Sequence, residues 1–282
     1  GDCAPPIVRA NAQAIKRAGQ LLTQSQRPVI VAGLEARASS QALRRLVVAL
    51  KCPVLLTYKA KGVIADADRS YVGLFTGGAA EQSIVRAADL IVLVGVDPVE
   101  LILQPWPYDL PVLEIAQAPF PVHYTKPAFG VYGDIATTLS ALQARVVVST
   151  WRTTQIAHAR AAMRAGLAYR GAGRGLAPNT VVEIAAAVSA ELPAWPRVTV
   201  DAGAHMFSAT AFWPCSQPND LLISNGLATM GFALPAAIAS ALHEPKRAVI
   251  AFTGDGGLLM CLGELETAAR AGARIIVIVF ND

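Results

Sequence analysis

Two apolar runs near the end of the chain constrain its fold more than any other feature. Residues 248–252 (AVIAF) lead into Thr253-Gly254-Asp255-Gly256-Gly257. Residues 259–271 read as helix, and residues 275–280 (IIVIVF) lead into Asn281-Asp282. A strand, a crossover helix and a second, parallel strand fit this stretch, because parallel strands require such a connection. Both strands then end at one edge of the sheet. Asp255 faces Asn281-Asp282 there, across the crevice where open α/β sheets bind ligands. Hard oxygen ligands at that place suit Mg²⁺, which takes one or two carboxylates together with phosphate oxygens. Gly254, Gly256 and Gly257 lack a Cβ and let the backbone approach phosphate. The helix expected over 259–271 presents its N-terminus to the same charge.

Composition supports large buried cores. Of the 282 residues, 54% are hydrophobic and 16% charged, so the chain has the apolar surface needed to fold. Mean hydropathy is +0.43, yet no apolar run approaches the roughly 18 residues needed to cross a bilayer. Buried parallel strands and Ala-rich helices account for the value. The start, Gly1-Asp2-Cys3, lacks the basic and apolar regions of a signal peptide, and a cytoplasmic, membrane-free protein is expected. The net charge of +4 is spread thinly. Arg152, Arg160, Arg164, Arg170 and Arg174 form the densest basic stretch, without interleaved aromatics. They read as a solvated helix face and linker, not as a nucleic-acid surface. Cys3, Cys52, Cys215 and Cys261 are scattered with no C-x-x-C spacing, so reduced thiols and no zinc site are expected.

The fold class expected is α/β, with two Rossmann-like parallel-sheet domains, the second incomplete. Residues 1–150 read as the first domain, with strands at 28–32, 53–56, 90–94 and 112–115. Its helices are expected at 12–22, 40–50, 79–88 and 134–142. Residues 151–178 read as a linker helix and a Gly-rich connector. Residues 179–282 read as the second domain, opening on a helix capped by Asn179. Strands at 197–200 and 220–223 follow, and then a helix over 230–242 interrupted by Pro235. Alternation of strands and helices argues for parallel sheets covered on both faces.

The pattern Gly254-Asp255-Gly256, with Asn281-Asp282 closing it 26 residues after Asp255, resembles the cofactor motif of thiamine diphosphate enzymes. Residues 224–237 (SNGLATMGFALPAA) and 200–208 (VDAGAHMFS) resemble segments of the acetolactate synthase-like branch of that family. The resemblance implies that Asp255 and Asp282 hold Mg²⁺ on the cofactor diphosphate. It implies that Ala202, Gly203 and His205 approach the same diphosphate, with Gly254, Gly256 and Gly257. It also implies that Met230 props the cofactor into its bent form and that the Ala228 carbonyl accepts a hydrogen bond from the aminopyrimidine. Taken singly, Met230 reads as a core gap-filler and His205 as a surface or satisfied core histidine. Their order and spacing ahead of Asp255 favour the functional reading. Glu264 and Glu266 lie in the crossover helix and read as solvated or packing residues.

The resemblance covers the central domain and the start of the diphosphate-binding domain. Family members usually begin with a pyrimidine-binding domain that supplies an activating glutamate, so no catalytic residue is assigned in this chain. It reads as a fragment that is inactive alone, of a parent that is a homodimer or homotetramer. The activity implied is decarboxylation of a 2-oxo acid such as pyruvate, with transfer of the two-carbon unit to a second carbonyl compound. A decarboxylase releasing an aldehyde is the alternative within the family. A non-catalytic nucleotide-binding module is the alternative outside it. That module expects G-x-G-x-x-G, and the nearest candidate, starting at Gly254, has Leu259 at the third glycine. Residues 73–82 (GLFTGGAAEQ) and 95–103 (GVDPVELIL) depart from the flavin-binding pattern, including its arginine, so FAD is not expected. Asp97-Pro98 and Pro105-Trp106-Pro107 read as loop-shaping residues.

Overall fold

The computed structural model describes residues 8–101, 105–121, 125–171, 175–224 and 227–281. Cys3, Arg174 and Asp282, singled out above, lie outside the described residues. The chain forms two compact units, Gly1–Met163 and Arg164–Asp282.

In the first unit α1 (Ala12–Gln24) starts at Asn11, whose side chain accepts hydrogen bonds from the backbone N–H of Gln13 and Ala14. β1 (Pro28–Ala32) is buried along its whole length. α2 (Ser40–Leu50) buries Leu43, Leu46, Val47 and Leu50, which share one face at helical spacing. β2 (Val54–Leu56), β3 (Tyr71–Leu74), α3 (Gln82–Arg86), β4 (Leu90–Val94), β5 (Val112–Ala116), β6 (Phe129–Tyr132) and α4 (Ile135–Gln143) follow. The strands pair in parallel in the order β3-β2-β1-β4-β5-β6. The order reverses between β1 and β4. β1 and β4 are continuous apolar runs because both of their faces are covered, and β5 is buried throughout although it carries Glu114, which accepts from the Tyr132 hydroxyl at 2.7 Å.

Both edge strands, β3 and β6, escape the sequence reading. Each is four residues long and contains a glycine, Gly73 or Gly130, which weakens a strand signal. α5 (Thr153–Leu167) follows, and α6 (Pro178–Ser189) belongs to the second unit. The expected cap Asn179 is not one. α6 starts a residue earlier, with Ala177 at the cap position and Pro178 in its first turn, where the missing N–H of proline costs nothing. The Asn179 side chain instead accepts from the backbone N–H of Tyr169 at 3.2 Å.

The second unit continues with β7 (Arg197–Val200), α7 (His205–Phe212), β8 (Leu221–Ile223), α8 (Ala233–His243), β9 (Val249–Gly254), α9 (Asp255–Met260), α10 (Glu264–Ala271) and β10 (Ile275–Phe280). Its strands pair in parallel in the order β10-β9-β7-β8. Pro235 does not interrupt α8, because the helix begins only at Ala233 and a first-turn proline is tolerated. The single helix expected over 259–271 is two helices, α9 and α10, separated by Cys261-Leu262-Gly263. α10 carries Glu264 and Glu266 in its first turn and Arg270 in its last, the signs that favour a helix dipole. Among the described residues no helix is long and apolar enough to cross a membrane.

Candidate cofactor site

In the second unit β8 lies on one side of β7 and β9 on the other. The connections leaving β7 and β9 therefore diverge from neighbouring strand ends. Such a switch point opens a crevice at the C-terminal edge of the sheet. The segments bordering it are Asp201-Ala202-Gly203 after β7 and Gly254-Asp255-Gly256-Gly257 after β9. Phe280 pairs with Gly254, so Asn281 comes abreast of Asp255 at the same edge. The other residue expected to ligate metal, Asp282, is outside the described residues. Among the described residues no three His, Cys, Asp or Glu side chains converge on a metal position.

Asp255 is exposed and opens α9. Its Oδ1 accepts from the backbone N–H of Gly256 at 2.8 Å. The helix whose start meets the edge is therefore α9, beginning at the aspartate itself, and not a helix beginning at Leu259.

His205 begins α7 and is only 6% exposed, so it is no surface residue. Its ring stacks on Phe280 with centroids 5.2 Å apart and planes 12° apart. Burial lowers its pKa below the ordinary 6.5, while the nearby Asp201 and a backbone hydrogen bond with Phe252 act the other way. Nε2 is buried without a hydrogen-bond partner, so His205 is not a satisfied core histidine either. Such orphaned atoms are uncommon and ask for an explanation. Gly203, at φ +144°, needs to be glycine, because a Cβ there would lie 2.9 Å from the His205 ring. At Gly254 a Cβ would stand 3.5 Å from the same ring. The two glycines and His205 thus border one recess.

Met230 does not lie in the helix expected over 230–242. It sits in the turn before α8, 44% exposed, which removes the core gap-filler reading. Its Cε is 3.4 Å from the position a Cβ would take on Gly256, so the side chain reaches over the β9 loop. Ala228 holds φ +46°, the left-handed region that costs a non-glycine residue about 1–2 kcal/mol. Such local strain persists where surrounding structure imposes it, and it clusters at ligand sites.

One organising residue was missed by sequence reasoning. Asp201, at the end of β7, is fully buried. Its carboxylate accepts from the N–H of Ala202 at 3.1 Å, of Gly231 at 3.0 Å and of Phe232 at 3.0 Å. It also accepts from Thr253 Oγ1 at 2.9 Å. One side chain thereby ties the β7 loop, the Met230 turn and the end of β9 together. The same carboxylate explains Gly257, which is buried, and where a Cβ would lie 2.2 Å from Asp201 Oδ2. Gly257 is small to admit Asp201 and does not merely expose its backbone. The sequence signal was an acid ending a buried strand, a position where an unpaired carboxylate is too costly to keep.

This donor set fits an anionic, phosphate-bearing group. It has an orphaned ring nitrogen, glycines that keep the recess open and an exposed carboxylate suited to a bridging hard cation.

Two known domain families match this chain. The family described as "Thiamine pyrophosphate enzyme, central domain" matches residues 15–142. "Thiamine pyrophosphate enzyme, C-terminal TPP binding domain" matches residues 201–282. An acetolactate synthase of Bacillus subtilis is 28% identical, over 99% of this chain and 51% of its own length. A pyruvate oxidase of Lactiplantibacillus plantarum is 28% identical, over 99% of this chain and 47% of its own. A catabolic acetolactate synthase of Raoultella terrigena is 34% identical over 75% of this chain and 38% of its own length. The chain spans about half the length of the first two relatives. With both domain families matched in order, and a phosphate-suited recess at the switch point of the second, the chain belongs to the thiamine pyrophosphate enzyme family and is similar to acetolactate synthases.

Proposed function

We propose that this chain supplies the central domain and the cofactor-diphosphate site of an acetolactate synthase-type carboligase. The observation that carries the reading is the recess between β7 and β9, where the orphaned Nε2 of His205, Gly203, Gly254 and the exposed Asp255 lie together. Asp255 and Asp282 would hold Mg²⁺ for the diphosphate. Ala202, Gly203, His205 and Gly256 line its approach. Met230 would support the cofactor from beneath, and the Ala228 carbonyl would accept a hydrogen bond from its aminopyrimidine. When bound, thiamine diphosphate supplies the nucleophilic carbon and electron sink by which a 2-oxo acid such as pyruvate loses carbon dioxide and passes two carbons to a second carbonyl compound.

The chain's own part is positional. Asp201 holds the Met230 turn and the β9 loop at a fixed separation, which is what preorganised binding requires. Burial disfavours the charged form of His205, with Asp201 and the Phe252 backbone acting the other way. Leu227, Leu259 and Met260 are 92%, 70% and 67% exposed near this recess. Apolar groups left open in this way suit a subunit interface, and a parent that is at least a homodimer is part of the proposal.

Calorimetry of thiamine diphosphate with and without Mg²⁺ tests the reading. Wild type should bind in a Mg²⁺-dependent manner, and Asp255→Ala should lose on the order of tenfold or more in affinity. Unchanged, Mg²⁺-independent binding by the variant would reject the metal assignment. Acetolactate from pyruvate is the product expected of the whole protein. Aldehyde alone would favour a decarboxylase, and NAD binding without thiamine diphosphate binding would favour a nucleotide module.

A further inference from the structure

The strand order of the first unit, β3-β2-β1-β4-β5-β6, is the order that binds dinucleotides at the point of reversal. That point lies between β1 and β4. A flavin or nicotinamide dinucleotide would place its diphosphate there, against the N–H groups of the turn after β1.

The residues present do not leave that space. After β1 the chain turns through Gly33 into a 3₁₀ segment, Leu34–Ser39. After β4 it turns through Gly95 to a second 3₁₀ segment, Pro98–Glu100. The two turns are in contact. The N–H of Gly33 donates to the Val94 carbonyl at 2.9 Å, and that of Glu35 to the Gly95 carbonyl at 3.0 Å. A Cβ on Gly33 would stand 2.4 Å from Val96 Cα and 2.7 Å from Glu100 Oε1. A Cβ on Gly95 would stand 2.6 Å from the nitrogen of Ala36.

The donors are taken as well. Glu100 is 4% exposed. Its Oε1 accepts from the N–H of Leu34 at 2.8 Å and of Asp97 at 3.0 Å. Its Oε2 accepts from the Thr57 hydroxyl, after β2. Glu35 spans the same edge in the other direction, its Oε2 accepting from the N–H of Gln117 at 3.0 Å. A phosphate arriving at β1 and β4 would meet two carboxylates and no free N–H of Leu34.

We propose that the switch-point crevice of the first unit is an anion site filled by the chain's own carboxylate, Glu100, and that it holds no dinucleotide, flavin adenine dinucleotide included. Burial, with the like charge of Asp97 adding to it, raises the Glu100 pKa above the ordinary carboxylate value, and the three donors oppose that rise. Glu100 stands where a bound phosphate would stand, so this unit closes without a ligand. None of these residues belongs to the thiamine diphosphate site proposed in the second unit.

Chemical rescue tests it. Glu100→Ala removes the carboxylate and leaves the donors of Leu34, Asp97 and Thr57 facing a space that formate can enter. Its urea midpoint should fall in chloride buffer, and sodium formate should restore at least half of the loss while moving wild type little. Glu100→Gln fills the same space and should show no formate effect. A folded Glu100→Ala that formate does not restabilise would overturn the proposal. Titration of wild type with FAD, followed by flavin fluorescence, tests it without any variant. No saturable change is expected, and one-to-one binding would overturn the proposal.

Discussion

Asp201 and Gly257 make a pair that neither residue announces alone. The carboxylate has four donors because it is buried, and the glycine has no side chain because the carboxylate is there. Gly257→Ala brings a methyl group to 2.2 Å from Oδ2. Overpacking of that kind costs about 1–3 kcal/mol, so a lower urea midpoint and weaker thiamine diphosphate binding are expected. Gly256→Ala meets only the flexible end of Met230, at 3.4 Å, and its stability from urea unfolding should stay within about 0.5 kcal/mol of wild type. Equal losses in the two variants would show that the carboxylate is not what requires Gly257. His205 gives a pH test. Its folded pKa is lower than the unfolded 6.5, so well above pH 6.5 both states carry a neutral ring and stability does not depend on it. As pH falls below 6.5 the unfolded chain takes up the proton first, and the fold loses stability until the native ring titrates too. Urea midpoints of His205→Phe, which keeps the stack on Phe280, should fall less than wild type between pH 6.5 and about pH 5. Of the residues proposed for the site, Gly203, His205, Met230 and Asp255 were singled out because their order along the chain resembles a family pattern. Asp201 was not, since its role rests on donors 30 and 52 residues further along the chain.

At the scale of the element, local signals worked where they were strong. The buried faces of α2 and the unbroken apolar runs of β1 and β4 were visible as spacing. So was the start of α4, where Asp134 Oδ1 accepts from the N–H of Thr137 at 2.7 Å. Asp134→Ala should cost about 1 kcal/mol by removing this cap, measured as a shift in the urea midpoint, and Asp134→Ser should recover most of it. The misses share one cause. β3 and β6 are edge strands held by a single neighbour each, so their pairing partner defines them more than their own residues do. The division of 259–271 into α9 and α10 likewise follows from where β9 ends, with Asp255 opening one helix and Gly263 preceding the next.

At the scale of the whole molecule, the division into two units predicts more than one unfolding step, since each has its own core. Scanning calorimetry should resolve two transitions. Thiamine diphosphate with Mg²⁺ should raise only the one reported by Trp195 and Trp213, by about 2.7 kcal/mol at a hundred times its dissociation constant. A single transition shifting as one would count against this.

The amino-acid sequence by itself determined the α/β class, the parallel strands and the cluster of Gly, Asp and Asn at their ends, because periodicity and turn chemistry are local properties. Strand order was decided only in three dimensions, since it depends on which buried faces meet. That order places the β7 and β9 loops side by side, lets Asp201 bind both, and sets Glu100 in the crevice of the first unit. Each outcome joins residues far apart in the chain, and a buried polar group takes whatever partner folding brings within hydrogen-bond reach.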